Sequence, residues 1–91
     1  MKYAIRQTSR FAKDVKLIAK RGYKMTELAK IIDLLASGIP LLAHHRDHAL
    51  SGDYAGSREC HIKPDWLLIY LIHEETLVLT LTRTGTHSDL F

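Results

Sequence analysis

Apolar and polar positions alternate in some stretches of the chain and recur at helical intervals in others. Tyr3 to Gln7 alternates, with Tyr3, Ile5 and Gln7 against Ala4 and Arg6, and predicts a short strand. Thr8 and Ser9 then offer an N-cap. Residues 10–21 read as a helix: Phe11, Val15 and Ile18 form an apolar stripe, with Lys13, Lys16 and Lys20 on the opposite side. Gly22 is placed to end it. Met25 to Ser37 predicts a second helix, because Leu28, Ile31, Ile32 and Leu35 share a face and Gly38 and Pro40 stop it. The short connection between the two predicts a helical hairpin. Leu41 to Ser57 is loop-like. Three strands are expected after it: Arg58 to Lys63, Trp66 to Ile72 and Thr76 to Thr82. Lys63-Pro64-Asp65 and His73-Glu74-Glu75 supply the turns. Arg83 to Phe91 reads as a short polar tail. The order β-αα-βββ predicts an α+β fold over residues 1–91, a small antiparallel sheet packed against an N-terminal helical hairpin.

Composition narrows the class. At 91 residues, 46% hydrophobic and 25% charged, the chain suits one small globular domain rather than a disordered segment. The longest apolar run, Leu67 to Ile72, is far short of the roughly 18 residues of a membrane span. Lys2, Arg6 and Arg10 interrupt the start, so no secretory signal is expected. Cys60 is the one cysteine, which fits a reducing, cytoplasmic compartment. The net charge of +3 is uneven: nine of the 13 Lys and Arg residues precede position 31, beside only Asp14 and Glu27. Such a face suits a polyanion or an acidic partner, or is simply solvated.

Six histidines mark where chemistry could lie. His44, His45 and His48 sit in the loop, at a spacing that matches no zinc-site pattern. His61 shares the Glu59/His61/Lys63 face of its strand, away from Cys60 and Ile62. Asp65 and Trp66 follow the turn, and His87 and Phe91 lie in the tail. Two histidines, a carboxylate, an arginine and aromatics are what metal-free RNA cleavage needs. A base takes the 2′-hydroxyl proton, a cation stabilises the phosphate, and an acid protonates the leaving 5′-oxygen. Aromatics can stack on unpaired bases. A binding module could carry the same residues.

Three ordered blocks add to this reading. They are Asp47-His48-Ala49-Leu50-Ser51-Gly52, Arg58-Glu59-Cys60-His61-Ile62-Lys63-Pro64-Asp65-Trp66-Leu67-Leu68-Ile69-Tyr70, and Arg83-Thr84-Gly85-Thr86-His87-Ser88-Asp89-Leu90-Phe91. With Phe11, Asp14 and Val15, they make the sequence resemble the YafQ branch of the RelE/ParE superfamily of bacterial toxins. The resemblance implies a microbial-ribonuclease-like fold and the toxin of a type II toxin–antitoxin pair. It implies a ribosome-dependent endoribonuclease that enters the A site of the 70S ribosome and cuts mRNA. The products would be a 2′,3′-cyclic phosphate and a 5′-hydroxyl, with no metal or other cofactor. A DinJ-like antitoxin would neutralise it. Residue by residue, the resemblance puts catalytic roles at His48, His61, Asp65, Arg83 and His87. His87 is expected as the acid, and base and orienting duties fall among His48, His61 and Asp65. Trp66 and Phe91 are expected to touch RNA, and Lys13, Lys16 and Lys20 are a candidate surface for ribosomal RNA. Strict alternation places Arg83 with Leu77, Leu79 and Leu81, so it reaches the site only if its strand has ended or bulged. His44, His45 and His73 match no motif, and Cys60 reads as packing. Two other readings remain open: a ParE-like toxin that binds gyrase and cuts nothing, and a degenerate RNA- or antitoxin-binding module.

Overall fold

A computed structural model describes residues 1–91. The chain runs β1 (Ala4–Gln7), α1 (Ser9–Lys20), α2 (Met25–Ala36), β2 (His48–Ala49), β3 (Arg58–Lys63), β4 (Trp66–His73), β5 (Val78–Gly85) and α3 (His87–Leu90). Two short 3-10 turns, Ala43–His45 and Gly52–Tyr54, punctuate the long loop. Thr8 caps α1: its hydroxyl accepts from the Phe11 amide at 3.0 Å and donates to the Thr82 carbonyl at 2.7 Å.

The five strands form one sheet in the order β1-β5-β4-β3-β2. β3 to β5 pair antiparallel, as expected, and the expected loop contributes a two-residue strand, β2, antiparallel to β3, but β1 runs parallel to β5, with Ala4 opposite Val78 and Gln7 opposite Leu81. The helices carry the chain across the sheet before it returns, and a crossover of that length permits a parallel neighbour. β1 is an edge strand whose own side chains are all exposed. Tyr3, just before it, is the buried anchor and hydrogen-bonds to Glu74 at 2.9 Å.

Both helices pack on one sheet face. Phe11 and Ile18 of α1, and Leu28, Ile31 and Leu35 of α2, join Cys60, Trp66, Leu68, Tyr70, Leu79 and Leu81 there. The other face holds a smaller cluster of Leu67, Ile69 and Leu90, edged by Leu50 and Tyr54. β4 is therefore buried on both sides, which its unbroken apolar run anticipates. Two irregularities in pairing matter for function. β3 slips against β4 between His61 and Lys63. In β5, Leu81 opposes Tyr70 and Arg83 opposes Ile69, so Thr82 is the extra residue of a bulge. The strand also runs on to Gly85, and the expected tail folds into α3 behind it. A side chain at position 85 would place its Cβ 2.9 Å from the Asp89 carboxylate, so only glycine admits this turn.

Candidate active site

The site lies on the face away from α1 and α2. β3 presents Glu59 opposite Ile69 and His61 opposite Leu67, so both point to the smaller cluster. The short strand β2 sets His48 opposite Glu59. Glu59 is only 4% exposed, and its Oε1 lies 3.3 Å from His61 Nε2 and 3.6 Å from His48 Nε2. A buried carboxylate needs such partners to offset its lost hydration. The ring of His61 sits 6.3 Å from that of His48 and 5.7 Å from that of His87. Glu59, His61 and His87 each bring one ligating atom within 4.8 Å of the others. A carboxylate with two imidazoles is a donor set that divalent transition metals accept.

His87 is held from two directions. Asp65 Oδ1 accepts from the His87 backbone amide at 2.9 Å and meets its Nδ1 at 2.6 Å. These two hydrogen bonds, the backbone one first, hold the exposed Asp65 carboxyl below the usual carboxylate range. With Nδ1 engaged, Nε2 is the ring nitrogen left for chemistry. Behind it, Thr86 and Asp89 form a capping box at 2.9 and 3.2 Å, and Arg21 of α1 grips Asp89 bidentately at 2.7 and 3.1 Å. That grip, with the Thr86 amide, drives the Asp89 carboxyl well below its ordinary value.

Arg83 reaches this face because of the Thr82 bulge, which moves it off the side of Leu79 and Leu81. Asp14 of α1 binds its Nε at 2.7 Å and Nη2 at 3.0 Å, and also accepts from the Thr84 amide at 3.2 Å. The guanidinium is held above its usual range chiefly by Asp14. The Asp47–Arg58–Tyr70 group fixes the loop just before His48: Asp47 Oδ1 accepts from Arg58 Nε at 3.1 Å and from the Tyr70 hydroxyl at 2.5 Å.

His48, His61, Asp65 and His87 thus assemble as the sequence anticipates, with Arg83 on the same sheet face. Phe91 is 64% exposed and packs edge-on against Tyr54, with ring centroids 5.6 Å apart. Lys13, Lys16 and Lys20 are exposed on α1. Trp66 departs from expectation. It is 2% exposed among the helix-face residues, its Nε1–H donates to Thr84 Oγ1 at 3.0 Å, and Tyr23 meets it edge-on at 5.0 Å. Alternation from Leu68 and Tyr70 puts Trp66 on the helix side, so it has no free face for a base. His45 is not a bystander either: its Nδ1 lies 2.7 Å from the His61 carbonyl, and His44 stacks on it at 4.1 Å. The sequence pattern assigns no role to Glu59, Asp14 or Tyr54. Only Glu59 carries a signal there, two positions before His61 on the same strand face. Cys60 is buried as packing, which pushes its thiol up to about 12.

A family model described as "Bacterial toxin of type II toxin-antitoxin system, YafQ" matches residues 3–91. The chain belongs to the YafQ family of type II toxins. It is 41% identical over 88 residues to the mRNA interferase toxin YafQ of Escherichia coli K12, covering 96% of this chain and 94% of the relative. Among solved structures, a metal-bound toxin from Helicobacter pylori superposes with a TM-score of 0.92 at 40% identity, over 98% of this chain and 99% of that one. YafQ in the E. coli DinJ–YafQ complex superposes with a TM-score of 0.89 at 40% identity, over 98% of each chain. The YafQ family's α+β architecture is therefore that of this chain.

Proposed function

We propose that this chain is an mRNA interferase, the toxin of a type II toxin–antitoxin pair, which cuts mRNA in the ribosomal A site without a metal. The observation that carries the chemistry is the convergence of Glu59, His61 and His87 within 4.8 Å, with Asp65 orienting His87. The 2′-hydroxyl proton passes to the Glu59–His61 pair, which acts as one base. The freed oxygen attacks its own 3′-phosphorus. Arg83, with Asp14 holding one side of its fork, offers its remaining N–H groups to the charged phosphorane. His87 delivers a proton to the departing 5′-oxygen, leaving a 2′,3′-cyclic phosphate and a 5′-hydroxyl. Asp65 is a positioning residue, since it acts through His87. His48 approaches the same carboxylate from the open side, and Phe91 presents an exposed ring to a base. The relative solved with DinJ supports a DinJ-like antitoxin as partner, and the lysines of α1 suit ribosomal RNA. No helix is long and apolar enough to cross a membrane. This reading puts the toxin to work at ribosomes, in the cytoplasm.

The Helicobacter pylori relative is a metal-bound toxin, and Glu59, His61 and His87 fit a divalent ion here. In this reading such an ion blocks the base and the acid rather than serving them. Primer extension on a message translated in vitro tests both points. Cuts within codons that persist with a chelator selective for zinc and copper, magnesium being kept for the ribosome, and fade with added copper or zinc are expected. Uncut message, or cleavage that needs the metal, would overturn the mechanism.

A further inference from the structure

On the flank of His61 lies a second hollow of about 360 Å³, walled by His44, Arg46, His61, Ile62, Lys63 and Pro64. Its polar lining is entirely basic or imidazole. Two of its walls pair with carboxylates from outside it. Glu27 draws Lys63 at 3.0 Å, and Glu59 meets His61 at 3.3 Å. Arg46 makes no ion pair in the chain. Its backbone is nevertheless tightly specified. Arg46 adopts φ 48°, a left-handed conformation that costs free energy for any residue with a Cβ. Its amide donates to the Ala43 carbonyl at 3.0 Å, and its own carbonyl lies 2.5 Å from His48 Nδ1. The next residue, Asp47, is pinned by Arg58 and Tyr70. An exposed arginine without an internal partner thus has its backbone held beside His48, in a strained conformation where glycine would be unstrained.

We infer that this hollow seats an RNA backbone phosphate, the one on the 5′ side of the nucleotide that supplies the attacking 2′-oxygen. The inference rests on the proposed cleavage reading. There, His87 serves the leaving 5′-oxygen and so marks the downstream side. His61 serves the 2′-oxygen and marks the upstream side. The hollow adjoins His61 and not His87, so a strand crossing the cleft brings its upstream phosphate beside Arg46. The guanidinium fork matches two phosphate oxygens, and Lys63 and His44 lie within the same walls. A phosphate seat positions the strand and reads no base.

The test uses the isolated full-length toxin and a non-cleavable dinucleotide whose first sugar is 2′-deoxy. It is prepared with and without a 5′-phosphate. Affinities are read by NMR titration, following the ring signals of His61 and His87 and the amide of Arg46. The phosphorylated form is expected to bind about tenfold tighter, the scale of a charge-assisted contact. Arg46→Gln should erase that preference and leave the affinity for the 5′-hydroxyl form unchanged. Arg46→Lys, which keeps the charge and loses the fork, should restore part of it. Equal affinity of the parent for both forms overturns the phosphate seat while leaving the RNA site standing, as does a preference that survives in Arg46→Gln. If neither form moves the histidine signals, the reading of the cleft as an RNA site fails, and the seat fails with it.

Discussion

At the scale of single residues, the proposed chemistry depends on which groups act together. Removing His87 takes away the proposed acid, and loss of one acid or base typically costs about 10²–10⁴ in rate. His87→Ala should therefore abolish detectable cleavage while leaving the circular dichroism spectrum unchanged, because the side chain is exposed. Glu59→Gln and His61→Ala should each be severe. The double variant should be hardly worse than either alone, because in the proposed mechanism the two groups act as one base and such units are not additive. A double variant whose loss is the product of the two single losses would show independent roles. His73→Ala is the control: that ring bonds only to Thr80 at 3.2 Å, at the far end of the sheet, and should be silent. The ordered blocks make His48, His61, Asp65 and His87 readable in the sequence itself. Glu59 is legible there as a neighbour on the His61 face, but not as the group joining two histidines. Asp14 is not legible as the partner of Arg83, because 69 residues separate them and only the packing of α1 over β5 brings them together.

At the scale of elements, the site depends on two departures from regular structure. Alternation predicts that Arg83 follows Leu79 and Leu81 into the core. The Thr82 bulge reverses that, and a period-two pattern carries no mark of an inserted residue. The last nine residues likewise read as tail, since α3 is a single turn of helix. Leu90 docks it on the sheet and Asp65 holds His87, while the Asp89 carboxylate, shared between the Thr86 amide and Arg21, fixes its turn to α1. Because the folded state depresses the Asp89 pKa, its contribution is full above the unfolded value of about 3.9 and is lost only as pH falls through the lower folded value. The docked tail should thus persist through the ordinary carboxylate range. Arg21→Gln removes the largest cause, so Asp89 should titrate nearer its ordinary value and the tail should loosen at milder acid. Carbon-detected NMR of the Asp89 carboxyl, with the Thr86 amide as reporter of docking, measures both. Identical titration curves for parent and variant would show that α1 does not hold the tail.

At the scale of the whole molecule, charge and chemistry occupy different parts of one small sheet fold. The cleft lies on the face away from the helices, while Lys13, Lys16 and Lys20 project from α1 on the other. This division is visible in the sequence as an uneven charge balance and an apolar stripe opposite the lysines. The parallel pairing of β1 with β5 is not, because a four-residue edge strand exposes every side chain and its pattern names no neighbour. The proposed action inside the ribosome requires contacts with rRNA as well as with the substrate. None of the three lysines takes part in an ion pair, so each is available to release a counterion on binding. Replacing all three with glutamine should weaken ribosome binding and reduce the slope of log affinity against log salt by about two, at roughly 0.7–0.9 per phosphate contact. The fold should be unaffected, because Phe11, Val15 and Ile18 keep their packing. Catalysis of bound message should also be retained, since the cleft is untouched. Ribosome binding measured across a salt series tells a working surface from a merely solvated one. A shallower line for the variant makes α1 a docking face for ribosomal RNA. Superimposable lines would leave the basic helix a solubility device and place ribosome recognition elsewhere on the toxin.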